Sequence, residues 1–252
     1  PPALQPRDVM RVRHGEGARI MTLNVHFYQV INSLYADTDN GQRDTYLAFG
    51  AVIERYAPDI VCLQEDVYPR PMDLGLVNYS EIGRCTAESI THVPGASHLA
   101  NTIFVRTSLQ NRVKDVEVLT LPVSKPGTPR CVIAATINGI RVANFHATGG
   151  RFDDKHSATL VRAKQEQVLF IIQRLHPDVI VGDLNGGIST TYLQRYPTYT
   201  SLDDEGQRTF RTYYTQVHTT LRENGYTPAY TEEVVGATSI YGGVSDWMYF
   251  RK

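Results

Sequence analysis

The chain has 252 residues, 42% of them hydrophobic and 20% charged, which fits a globular protein large enough to bury a core without staples. Its 25 Lys and Arg nearly balance 26 Asp and Glu, so composition argues against a general electrostatic grip on nucleic acid and leaves only a local basic groove. No run of 18 apolar residues is present, so no membrane-spanning helix is expected.

Residues 1–17 read as an irregular arm without an apolar signal core. The lack of an initiator Met suggests a fragment or a processed chain. The stretch ARIMTLNV (18–25) is a strand candidate, rich in aliphatic residues. Positions 43–59 show helical spacing of Leu47, Val52, Ile53 and Tyr56, stopped by Pro58. DIVCLQE (59–65) reads as a short buried strand, and the Pro- and Gly-containing stretch 66–98 as a long surface excursion. Strands are expected at 101–109 and 115–123. CVIAATINGIRVANFHA (131–147) places two apolar runs around Asn138-Gly139, the signal of a type I′ hairpin. Residues 156–178 carry a helical apolar stripe that Pro177 ends. A strand over 178–183, a helix over 209–225 closed by Gly225, and a last strand, SDWMYF (245–250), complete the pattern.

Strands outnumber helices, so a sheet core with helices outside is expected. No linker divides residues 18–252, which read as a single domain, and no internal repeat is visible. Three cysteines, Cys62, Cys85 and Cys131, are too few and too scattered for a disulfide framework or a zinc site. Cys62 and Cys131 read as small core residues. A reducing, intracellular setting (cytoplasm or nucleus) is the expectation.

Several strands carry polar residues at or near their ends: Asn24, Glu65, Asn144 with His146, and Asp183 with Asn185 two further on. Each has an ordinary explanation in turns, caps or a satisfied core histidine. Residues two apart share a face in a strand, so Asn144 and His146 can reach one site, as can Asp183 and Asn185 if the chain stays extended.

Taken in order, TLN (22–24), LQE (63–65), NFH (144–146), GDLN (182–185) and SDWMYF (245–250) resemble the endonuclease/exonuclease/phosphatase superfamily, the metal-dependent phosphodiesterases related to DNase I. The resemblance spans 18–250. It implies an α+β fold, a four-layer α/β/β/α sandwich of two mainly antiparallel sheets flanked by helices. It also implies Mg²⁺-dependent hydrolysis of a phosphate ester, with Mn²⁺ as an alternative ion and nucleic acid, DNA or RNA, as the first substrate. Phospholipids and inositol phosphates follow. Glu65 and Asn24 would hold the ion. Asp183 would orient or deprotonate the attacking water, Asn185 would bond a phosphate oxygen or the ion's shell, and His146 would donate to developing charge. Asn144 and Arg151 are candidate substrate contacts, Asp246 a further catalytic acid, and Gly182 and Gly186 points of close backbone approach to phosphate.

Members of this superfamily close on Ser-Asp-His, and this chain does not. One alignment makes SDW (245–247) that triplet, with Trp247 in the histidine's place. The preferred one makes Asp246 an earlier family Asp that precedes an apolar strand, because TTLRENGYTPAY does not look like an Asp-led strand. The closing strand and histidine are then expected beyond Lys252. Otherwise the chain is a catalytically impaired ligand-binding relative, or His26 substitutes.

Overall fold

The computed structural model describes residues 10–12, 18–25, 39–70, 72–87, 98–122, 129–149, 157–190, 193–194, 197–231 and 244–252. Its first half contains β1 (Met10–Val12), β2 (Ile20–Asn24), α1 (Asp39–Tyr56), β3 (Ile60–Tyr68), β4 (Tyr79–Ala87), β5 (His98–Arg106) and β6 (Val113–Thr120). Then come β7 (Cys131–Ile137), β8 (Ile140–Phe145), α2 (Ser157–Leu175), β9 (Val179–Asp183), α3 (Pro197–Thr200), α4 (Asp204–Glu223), β10 (Tyr226–Pro228) and β11 (Asp246–Arg251).

The two helices α1 and α2 end alike, and these endings set the architecture. Each stops two residues before a proline, ahead of Ala57-Pro58 and His176-Pro177. A residue before proline is kept out of the helical region. Ala57 (φ 48°) and His176 (φ 46°) instead take the left-handed conformation that closes a helix. An aspartate follows each proline: Asp59 accepts from Arg19 N at 2.7 Å, and Asp178 accepts from Arg141 N at 2.8 Å. The proline carbonyls accept from Tyr79 and Tyr226 hydroxyls at 2.7 and 2.6 Å. The aspartate carbonyls accept from Arg106 N and Arg251 N at 3.0 and 2.9 Å. The chain therefore uses one strand–helix–strand joint twice, a repetition that sequence reading missed.

Each joint makes a parallel pair, β2 beside β3 and β8 beside β9; the remaining pairings are antiparallel. One sheet runs β1-β2-β3-β5-β4 and the other β10-β11-β9-β8-β7-β6. Ile60, Cys62, Ile103, Ile133, Val181 and Met248 fill the space between the sheets. Met21, Leu63, Phe104 and Ile53 join the first sheet to α1. Ala143, Phe145, Val168, Val217 and Trp247 join the second to α2 and α4. This is the four-layer α/β/β/α sandwich that the resemblance implies.

Three expectations change. Positions 66–98 are not one excursion, since β3 continues to Tyr68 and β4 lies within the stretch. Met10–Val12, inside the arm read as irregular, pairs antiparallel with β2. Tyr226–Pro228, in a segment assigned no strand though read only as not Asp-led, pairs with β11. Both short strands carry too few residues for alternation to show. The Asn138-Gly139 hairpin is as expected, with φ 51° and 85°.

Cysteine usage is corrected as well. Cys85 on β4 and Cys131 on β7 form a disulfide, 46 residues apart in sequence but with Cα atoms 6.1 Å apart across the two sheets. Sequence spacing could not show this, because sheet packing creates the proximity. Cys62 is free and buried.

Candidate functional site

Glu65 owes its position to a β-bulge. In the pairing of β3 with β5, Leu63 faces Thr102 and Asp66 faces Ala100, so Gln64 and Glu65 together oppose Asn101. Glu65 has φ 53°. The extra residue breaks strict alternation and re-aims a side chain. Gln64 turns to the space between the sheets, Glu65 to its rim, and Asp66 to the far side, where it accepts from Thr102 Oγ1 at 2.6 Å.

The opposite sheet supplies Asp183 from the end of β9 and His146 from just past β8. Atoms of Glu65, His146 and Asp183 lie within 4.8 Å of one another. His146 Nδ1 is 3.8 Å from Glu65 Oε1, and its Nε2 is 3.8 Å from Asp183 Oδ2. Asn24 Nδ2 donates to both acids, to Glu65 Oε1 at 3.1 Å and Asp183 Oδ2 at 2.8 Å. Two carboxylates and one imidazole, with ligand atoms all within 4.8 Å of one another, make a donor set that fits a hard divalent cation.

Asn185 arrives differently from expectation. The chain does not stay extended past β9: Asn185 adopts φ 49°, and its N–H donates to Asp183 Oδ1 at 2.8 Å. This local turn swings its side chain to His146. Asn185 Nδ2 lies 2.7 Å from His146 Nε2 and 3.0 Å from Ala147 O. A carbonyl only accepts, which fixes the amide's orientation and makes Nε2 an acceptor. The imidazole proton is then on Nδ1, facing Glu65. Burial pushes the His146 pKa down, and the Arg130 cation adds to this, against the pull of Asp183 and Glu65.

Arg130 is the residue that sequence reading missed. It lines a pocket with Glu65, Asn101, Cys131 and His146. Its charge is attracted to Glu65 and Asp183, although burial lowers its pKa. Its Nε is buried without a hydrogen-bond partner among the described residues. The only sequence signal was an arginine directly before the apolar run of β7.

Asn144 is corrected. It projects to the same side as His146 but one layer deeper, and it is fully buried. Its Nδ2 donates to Leu63 O at 3.0 Å and Thr102 O at 3.1 Å, and its Oδ1 accepts from Gln64 Nε2 at 2.7 Å. Thr22 and Cys62 O complete the environment of Gln64. Among the described residues, Asn144 thus spends both amide hydrogens and its oxygen on tying the sheets together. The glycines are also corrected. A Cβ on Gly182 would lie 1.8 Å from Phe145 O, and one on Gly186 would lie 2.1 Å from Tyr214 O. They allow close approach of the protein's own backbone.

Asp246 stands opposite Asp183 in the β11–β9 pairing, and Trp247 opposite Gly182. Directly opposed residues share a face, so Asp246 lies on the Asp183 side. Trp247 turns into the core under the helices, where its Nε1 donates to Gly186 O and Val244 O. It is therefore not in the site in place of a histidine. Arg151 and His26 lie outside the described residues.

A model of the Endonuclease/Exonuclease/phosphatase family matches residues 21–232. The chain belongs to this family. Solved structures show the same fold. The human Nocturnin catalytic domain with bound sulfate anion is 16% identical, with a TM-score of 0.57, covering 98% of this chain and 87% of that one. A humanized D. rerio TDP2 carrying 14 mutations is 15% identical, with a TM-score of 0.54, covering 92% and 82%. D. rerio TDP2 complexed with single strand DNA product is 16% identical, with a TM-score of 0.52, covering 92% and 83%. No curated protein matches the sequence. Family membership brings general phosphoesterase chemistry, for which Glu65, His146 and Asp183 form a candidate metal-binding cluster.

Proposed function

We propose that this chain is a Mg²⁺-dependent phosphodiesterase with nucleic acid as its first substrate class. One observation carries the reading: Glu65 of one sheet and Asp183 of the other converge on a single Asn24 amide, beside His146. Glu65 would hold the ion, joined by the side-chain oxygen of Asn24 once that amide turns over from the acids it now donates to, with Asp183 beside them. Bound there, the ion would neutralise phosphoryl charge and acidify water.

The chain's own groups divide the remaining work. Asp183 is oriented by bonds from Asn185 N and Asn24 Nδ2, so its carboxylate is set to align a water and accept its proton. Neutral His146 presents Nδ1–H as a donor to a phosphoryl oxygen. The Arg130 guanidinium matches phosphate geometry and opposes the negative charge of the transition state. Asp246 adds a second carboxylate beside Asp183. The D. rerio TDP2 structure with a single-stranded DNA product supports nucleic acid as the first class to try.

The test is hydrolysis of bis(p-nitrophenyl) phosphate and of single- and double-stranded oligonucleotides. Turnover that needs Mg²⁺, stops with EDTA, and falls by on the order of 10²-fold or more in Glu65→Gln and Asp183→Asn is expected. Binding of oligonucleotide without turnover would replace the enzyme with a ligand-binding module. Turnover of an inositol phosphate or phospholipid alone would keep the chemistry and change the substrate.

A further inference from the structure

Lys164 is a charged residue type in a place where charge is rare. It lies on α2, fully buried. Its Nζ donates to Asn185 O at 2.6 Å and Tyr213 O at 3.0 Å, and sits 3.7 Å from the centroid of the Tyr213 ring. Asn185 is also the residue whose side chain holds His146 Nε2. Lys164 thus grips from behind the peptide that presents an amide to the site.

We infer that Lys164 is a positioning residue: its bonds to Asn185 O and Tyr213 O fix Asn185 in the left-handed turn from which Nδ2 holds the Nε2 of His146. The inference deepens the proposed function and rests on it for its catalytic arm only.

Three features support it. Asparagine tolerates φ 49° better than other non-glycine residues, but the turn leaves its carbonyl to be paired, and that carbonyl is where Nζ binds. The turn is laced to α4 at a second point, Gly187 N to Tyr214 O at 3.2 Å, so Lys164 completes a clamp between α2, the turn and α4. The Asn185 side chain also packs directly on Gly149, where a Cβ would lie 2.2 Å from its Cγ. The two acceptors require two N–H bonds, which an amine supplies with or without its third proton. The positioning is therefore independent of the charge on Nζ.

The decisive readout is the tautomer of His146, measured by long-range ¹H–¹⁵N spectra of histidine-labelled protein at one pH. Wild type should show Nδ1–H, with Nε2 an acceptor. In Lys164→Met the turn relaxes, Nε2 loses its donor, and the proton should move to Nε2. Gly149→Ala, which crowds the Asn185 side chain and leaves Lys164 intact, should produce the same signature. With bis(p-nitrophenyl) phosphate and Mg²⁺, Lys164→Met should lower kcat on the order of 10²-fold with little change in KM. Lys164→Arg should restore part of it. A folded Lys164→Met that keeps the Nδ1–H signal overturns the inference. If that variant fails to fold, the wild type decides: coupling across the hydrogen bond between Lys164 Nζ and the Asn185 carbonyl carbon supports the clamp, and its absence overturns it. A wild type without turnover sinks the proposed function, while the spectra still judge Lys164.

Discussion

Gln64 and Asn144 meet amide to amide, at 2.7 Å, in the space between the two sheets. Both are fully buried. The Asn144 amide is satisfied by Gln64 and the carbonyls of Leu63 and Thr102. Removing one partner strands the others in a dry space, at about 1–3 kcal/mol per group. Asn144→Ala should therefore cost about 3 kcal/mol of stability. A double-mutant cycle with Gln64→Ala should show a coupling of about 1–2 kcal/mol. Urea unfolding measures both; additive losses would show that the two amides act separately.

Arg130 should matter to turnover more than to stability. Its Nε has no partner among the described residues, so Arg130→Met removes a half-buried cation without stranding a bonded acceptor at that atom. We expect kcat/KM to fall on the order of 10²-fold or more, with the urea midpoint held or raised. Arg130→Lys should recover only part, because a point charge lacks the two-pronged fit. The His146 pKa should rise in Arg130→Met, since a cation that lowers it is gone. A variant with full activity would remove Arg130 from the site's chemistry.

Burial lowers the Lys164 pKa from 10.5 to about 7, against an opposing pull from Asp183. Between those pH values the unfolded chain binds a proton at this amine that the folded chain has lost. Its contribution therefore makes stability rise with pH across the window. Below about 7 the burial penalty on the ammonium is fully present; above 10.5 both states are neutral and it is gone. Urea midpoints measured from pH 6 to 10 should show this rise in wild type and a flatter curve in Lys164→Met. Parallel curves would place the titration elsewhere.

The disulfide between Cys85 and Cys131 closes a loop of 46 residues between the two sheets. On the chain-entropy account it contributes about 4 kcal/mol. Treatment with a dithiol reductant should lower the thermal midpoint, and Cys85→Ser should lower it without further response to reductant. An unchanged midpoint on reduction would show that the bond contributes little.

The layered fold was largely legible because strands and helices write their periods into the chain. The helix over 156–178 and the Asn138-Gly139 hairpin needed only local chemistry. What stayed hidden depends on sheet meeting sheet: the Cys85–Cys131 bond, the burial of Asn144, and Arg130 beside the acids. Glu65 was legible as a polar end to the apolar run 60–63, within LQE. Gln64 beside it drew no role, since nothing local says which of two adjacent polar residues turns inward at a bulge. The arrival of Asn185 was foreseen by the wrong path, because a left-handed non-glycine residue leaves no trace in hydrophobic pattern.

Asn24 and Glu65 belong to one sheet and Asp183 and His146 to the other, so neither strand–helix–strand unit owns the site. A refolding chain can complete either unit, with all its helical signal, and still be inert. Catalysis would then report a late event, the docking of two finished halves, and a burst of circular dichroism with no matching burst of turnover would time the gap between them.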